Sequence, residues 1–198
     1  MIHCFAISLA KCWATRGVIK ESDIDIYQYG LELVISTGIN VFIMIGISFA
    51  FGRFLIVLPY LLGFIPLRLF AGGYHAKNHL LCILFNTVVY LVSCLIALNI
   101  EGTTSILFSV IEDCVSFAFV FLFAPVSTKN KPLGIEEKNR NRTISLVLAG
   151  VFLVLSIAFY YTHQLGNIFC NMFFCGQMMA IVLLIMGKAV ESICCFHT

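Results

Sequence analysis

Apolar residues recur along this chain in long unbroken runs, not at the two- or four-residue alternation of a soluble domain. Six runs stand out, at about 31–50, 54–70, 79–98, 104–123, 144–162 and 166–186. Each is close to the ~20 residues needed to cross a hydrocarbon core roughly 30 Å thick. Because lipid offers the backbone no hydrogen-bond partner, each run is predicted to be helical, and the continuous apolarity excludes a barrel. The second run carries Pro59, Gly63 and Pro66 and leads into Arg68 and Gly72-Gly73, which predicts a broken or kinked helix. Ahead of the first run, Ile2, Phe5, Leu9, Trp13 and Val18 recur at helical spacing among Lys11, Arg16 and Lys20. That pattern predicts an N-terminal interfacial amphipathic helix or, as the alternative, a basic extension that orients the first span. His3 and Lys11 interrupt the stretch, so it is not read as a cleaved leader.

The fold class expected is therefore an all-α polytopic membrane protein. It is read as one embedded domain over residues 1–198, with an interfacial segment at 1–30, a six-span bundle at 31–186 and a cytoplasmic tail at 187–198. Composition agrees: 61% of residues are hydrophobic and only 11% charged, and a mean hydropathy of +1.01 excludes a soluble domain. The net charge of +2 is uninformative in itself; what orients a membrane chain is where its basic residues lie. With both termini inside, the cytoplasmic side receives Lys11, Arg16, Lys20, Arg68, Lys77, Lys129, Lys131, Lys138, Arg140, Arg142 and Lys188, and the outer side only Arg53. Nucleic acid is not an expected partner. Nine cysteines, mostly inside or beside apolar runs, do not read as a disulfide framework.

Candidate chemistry concentrates in Arg68-Leu69-Phe70-Ala71-Gly72-Gly73-Tyr74-His75-Ala76-Lys77-Asn78-His79, which runs into a span carrying Cys82 and Asn86. A cysteine nucleophile with a histidine base is one reading. His79 and Cys82, three apart, can touch on one helix, whereas His75 and Cys82, seven apart, would lie about 10 Å apart along a continuous helix. If His75 is the base, residues 72–78 must leave the helix and fold back. The same residues allow a metal site of two histidines and a cysteine, interfacial anchoring by Arg68, Tyr74 and Lys77, or a transporter gate. Glu32, Ser36, Asn86 and Ser127 match the depth of the cysteine and are candidates for orienting the base. Glu112 and Asp113, midway along the fourth run, are expected either to line a polar cavity or subunit interface or to lie near the outer surface. Gln177, Asn171 and Asn40 are expected to hydrogen-bond between helices.

The stretch from Arg68 to Cys82, with Arg, Gly-Gly, His and Cys in this order, resembles the signature of the AgrB family of quorum-sensing peptide processors. Phe123-Ala124-Pro125-Val126-Ser127-Thr128-Lys129-Asn130-Lys131-Pro132-Leu133 and the basic cluster to Arg142 are similar to the same family's loop between its fourth and fifth spans. The resemblance covers most of the chain. It implies a membrane-embedded cysteine endopeptidase of the bacterial cell membrane that cuts the C-terminal part from a small precursor peptide and helps to form a thiolactone or lactone signal. It also implies His75 and Cys82 as the catalytic pair, Arg68, Gly72 and Gly73 around them, and a homodimer. The loop carrying Lys129 and Lys131 is assigned to lipid or to an acidic stretch of the precursor. No metal or organic cofactor is expected. The other readings are a small transporter or channel, or a metal-binding membrane protein.

Overall fold

The computed structural model describes residues 2–73, 79–99, 106–126, 134–161 and 168–196. Within them the chain forms seven α-helices: α1 Ile2–Thr15, α2 Ile24–Ala50, α3 Val57–Ala71, α4 His79–Asn99, α5 Ile106–Phe123, α6 Ile135–Tyr161 and α7 Ile168–Phe196. No strand occurs among the described residues, so the fold is all-α. Five stretches, within α2, α3, α4, α6 and α7 together with the short turns leading into α2 and α3, are long and apolar enough to cross a membrane. Helix α5 falls on the fourth expected span and carries the acid pair Glu112 and Asp113.

The bundle is built on α7, whose apolar window is mostly buried, while at most a third of each other candidate span is buried. Its principal partner is α3. The two helices approach backbone to backbone because glycines face each other's main chains: a Cβ on Gly63 would overlap the Phe173 carbonyl oxygen, and one on Gly176 would overlap that of Tyr60. Removing the side chain lets dispersion contacts form between helix backbones, which matters where lipid competes equally for apolar surface. Around this seam lie two apolar clusters. One joins Leu67, Phe152, Phe173 and Leu184; the other joins Tyr60, Tyr90, Cys94 and Met172.

Helix α2 presents its polar side inward. Glu32, Ser36, Asn40 and Ser48 are buried with Met44 at intervals of four, while Val34, Phe42 and Phe49 face outward. In lipid a polar stripe is satisfied only by neighbouring helices. The hydroxyls of Ser48 and Tyr90 accordingly meet at 2.5 Å, tying α2 to α4.

Some of the expected helix limits need correction. Helix α3 runs unbroken from Val57 to Ala71. Pro59 sits in its first turn, where the missing N–H would have no partner, and Pro66 is accommodated inside the helix. The interruption falls at the glycine pair that follows. In α1 the residues buried against the protein are Ala6 and Ala10, whereas Phe5 of the predicted apolar stripe is exposed. The small residues let α1 lie close to α2, and His3 then reaches Glu32 at 2.7 Å. Finally, residues 135–142 are not loop: they form the first turns of α6, with Glu136 and Glu137 at the N-terminus where the helix dipole favours acidic side chains. Helix α7 likewise continues past 186 to Phe196.

Replacing Gly176 by alanine is expected to wedge α7 away from α3 and cost about 1–3 kcal/mol, the usual range for overpacking. Thermal unfolding in detergent would register this as a lower midpoint, and Gly150→Ala, inside α6 where an added Cβ meets nothing within 4 Å, should leave the midpoint unchanged or slightly raised.

Candidate active site

At the C-terminal end of α3 the chain turns through the double glycine. Gly72 has φ +78° and ψ −146°, and Gly73 has φ +126°. Both values favour glycine, and local packing adds a second reason for it. A Cβ on Gly72 would lie 2.6 Å from the Val126 carbonyl oxygen. On Gly73 it would lie 2.5 Å from Nη1 of Arg68 and 2.7 Å from the Leu183 carbonyl oxygen. The turn is thus clamped between the segment after α5 and the backbone of α7. The Val126 amide donates to the Ala71 carbonyl at 3.0 Å, making an isolated parallel bridge beside Gly72. The chain that approaches this pair closely is the protein's own.

Arg68, largely buried, donates from Nη1 to the Gly72 carbonyl at 2.7 Å. This satisfies a carbonyl that the end of the helix leaves open. The guanidinium also lies within electrostatic range of the Cys82 sulfur and the Tyr29 hydroxyl. Cys82 stands in the first turn of α4, half-buried, and receives a hydrogen bond from the Asn86 amide, Nδ2 to Sγ 3.5 Å. Four residues separate them, so the contact is a property of the helix itself.

The structure therefore groups Arg68 with Gly72 and Gly73, and Cys82 with Asn86, and an electrostatic interaction between Arg68 and Cys82 links the two groups. His75, Lys129, Lys131 and Ser127 lie outside the described residues, as does the His79 side chain, so the metal alternative built on His75, His79 and Cys82 falls there too. The helical break demanded if His75 is to reach Cys82 is present in its described part, at Gly72 and Gly73. Next to this end of the bundle is a polar group that sequence reading had taken only in part. Tyr29 lies within electrostatic range of both Arg68 and Glu32, and Glu32 accepts from Gln28 at 3.0 Å and meets His3. His3 had registered only as an interruption of an apolar run. The signal available was the four-residue spacing of Gln28, Glu32, Ser36 and Asn40.

Elsewhere the acid pair lies inside the bundle, with Glu112 3% and Asp113 1% exposed. Ser116 donates to Oε1 of Glu112 at 3.2 Å, leaving Oε2 without a partner among the described residues. Asn171 bridges helices by donating to the Ala97 carbonyl at 3.4 Å. Asn40 and Gln177, expected to do the same, each keep a buried atom with no hydrogen-bond partner among the described residues. The described cysteines are all free thiols.

Comparison with known proteins decides the family. Residues 5–186 match the family Accessory gene regulator B. The chain belongs to that family. It is 32% identical over 146 residues to "Putative AgrB-like protein 2" of Clostridium perfringens, covering 69% of this chain and 68% of the relative. It is 22% identical over 149 residues to "Accessory gene regulator protein B" of Staphylococcus carnosus, covering 73% and 76%. A protein of Listeria welshimeri, "Putative AgrB-like protein", is 30% identical over 135 residues, covering 66% and 63%. No solved structure matches the chain. Membership makes this AgrB-family chain a membrane protein of the accessory gene regulator quorum-sensing system.

Gly73→Ala is expected to displace Arg68 from the Gly72 carbonyl, because the new methyl would occupy the position of Nη1 or of the Leu183 carbonyl. The measurable result is a severalfold change in the rate at which a small maleimide labels Cys82, with membrane insertion intact.

Proposed function

We propose that this AgrB-family chain is a membrane-embedded cysteine endopeptidase that cuts the C-terminal part from a small precursor peptide and promotes closure of the remainder into a thiolactone or lactone. The observation that carries this reading is the placement of Cys82. Its sulfur is held by Asn86 and interacts electrostatically with Arg68, whose guanidinium caps the nonhelical turn through which the chain leaves α3 toward His75.

In this mechanism His75 takes the Cys82 proton and the sulfur attacks the scissile carbonyl. The carbon–nitrogen bond breaks, the proton passes from His75 to the leaving amine, and the acyl group stays on Cys82 as a thioester. A cysteine or serine side chain of the bound peptide then attacks that thioester. Its proton returns through His75 to the Cys82 sulfur, and the ring closes. Thioester exchange is nearly isoenergetic, so ring closure depends on positioning and on keeping water out, which a membrane-level site favours.

The side chains have distinct tasks. Asn86 orients the sulfur, and its hydrogen bond strengthens as negative charge develops there. Arg68 is a positioning residue: through the Gly72 carbonyl it fixes where the segment carrying His75 leaves α3. Lys129 and Lys131 hold an acidic stretch of the precursor. The chain crosses the membrane six times with both termini and the site on the cytoplasmic side, as the eleven-to-one distribution of basic residues favours. It works as a homodimer among membrane lipids.

In lipid-reconstituted protein supplied with the precursor, Cys82→Ser and His75→Ala should each abolish cleavage while the variants still insert. Thiol alkylation should stop cleavage and chelators should not; processing retained by either variant, or stopped by chelation alone, overturns the assignment. Reversing the charges of Lys129 and Lys131 should weaken precursor processing severalfold, and insertion followed separately distinguishes this from a topological role.

A further inference from the structure

A cavity of about 390 Å³ opens between α4, α5 and α7, farther along α4 than Cys82. Val92, Ser93 and Ile96 wall it from α4, Glu112 from α5, and Asn171 and Met178 from α7. This volume falls in the range of sites that hold small ligands, about 300–1,000 Å³. Its lining is almost wholly apolar. The exception that points to a ligand is Glu112, whose Oε1 is taken by Ser116 while Oε2 is buried with no partner among the described residues.

The cavity also shares one face of α4 with the candidate active site. Cys82, Asn86, Val89, Ser93 and Ile96 follow one another at intervals of four, three, four and three, so they form a single stripe on α4. Helix α4 packs on α7, and the Asn171–Ala97 hydrogen bond ties the two helices just past the far end of that stripe. A chain lying along it with its reacting carbonyl at Cys82 would place neighbouring residues between Val89 and Ile96.

From these two observations we infer that the cavity is a subsite for an apolar segment of a peptide, with Glu112 accepting a hydrogen bond from that segment's backbone N–H. The inference rests on the proposed peptidase reading and names the part of the substrate that the same site takes. Charge and hydrogen-bond complementarity select a peptide over a lipid acyl chain. An acyl chain fills apolar volume but brings no donor to a buried, unpaired carboxyl oxygen, whereas an extended peptide carries an N–H at every residue.

The test uses full-length Cys82→Ser protein in lipid nanodiscs and two probes: a short apolar peptide carrying a photoreactive leucine, and a photoreactive fatty acid. The peptide should crosslink to residues 88–96 and 174–182, and excess fatty acid should not compete. Val92 and Met178 form the lips of the cavity and are 45% and 40% exposed, so Val92→Trp and Met178→Trp obstruct it without disturbing the core. Each should cut the crosslink yield about tenfold, in keeping with loss of a buried side chain's transfer energy. With Cys82 restored, maleimide labelling of the same tryptophan variants should be unchanged. Crosslinks confined to other segments, full competition by the fatty acid, or yields undiminished in both tryptophan variants would overturn the subsite. Peptide captured in the cavity by protein that fails to cleave precursor would leave the subsite standing and sink the peptidase, and cleavage without capture would do the reverse.

Discussion

The close approach of α3 to α7 is the contact on which the rest of this protein depends. A membrane removes the usual reason for apolar surfaces to associate, since lipid tails solvate them as well as other side chains do. What remains is the dispersion gained when two surfaces fit better than either fits lipid. Gly63 and Gly176 supply that fit by bringing main chain against main chain. Once the two helices are set side by side, the end of α3 is fixed against Leu183 of α7, and the direction in which the chain leaves α3 is no longer free.

That exit is where structure meets chemistry. Arg68, Gly72 and Gly73 form one device: the arginine closes on the Gly72 carbonyl, the Gly72 backbone lies against Val126, and Gly73 fits between the arginine and α7. The double glycine is required by this internal packing before any substrate is considered. The proposed pairing of His75 with Cys82 uses its consequence, which is that the chain after Ala71 does not continue as a rod. Asn86, one turn beyond the cysteine, restrains the sulfur through the regular geometry of α4 alone.

Polar residues within the spans divide by what they meet. Ser48 with Tyr90, and Asn171 with the Ala97 carbonyl, are satisfied pairs that hold helices in register. Glu112 is different in kind, because one of its oxygens is buried without a partner among the described residues on the wall of an apolar cavity. An unpaired buried acceptor is costly to keep. Its position on α5, across the cavity from the Cys82 stripe of α4, is what the proposed subsite uses.

The sequence by itself determined the helical elements and the family. Long apolar runs left the backbone no option but helices, and the order Arg68, Gly72-Gly73, His75, Cys82 marked one short stretch for chemistry and pointed to its family. It did not determine which faces of those helices meet. The periodicity of α1 marked an apolar stripe but not the face that meets the protein, which is that of Ala6 and Ala10. In lipid a large apolar side chain has no reason to turn inward, and small residues allow closer contact. For the same reason the inward polar stripe of α2 and the burial of Glu112 and Asp113 were decided only by tertiary packing, which alone states whether a polar side chain within a span has a partner. The role of the glycine pair was likewise settled by two chain segments remote in sequence, Val126 and Leu183, because a close approach is a property of both surfaces and only one of them is written at the glycines.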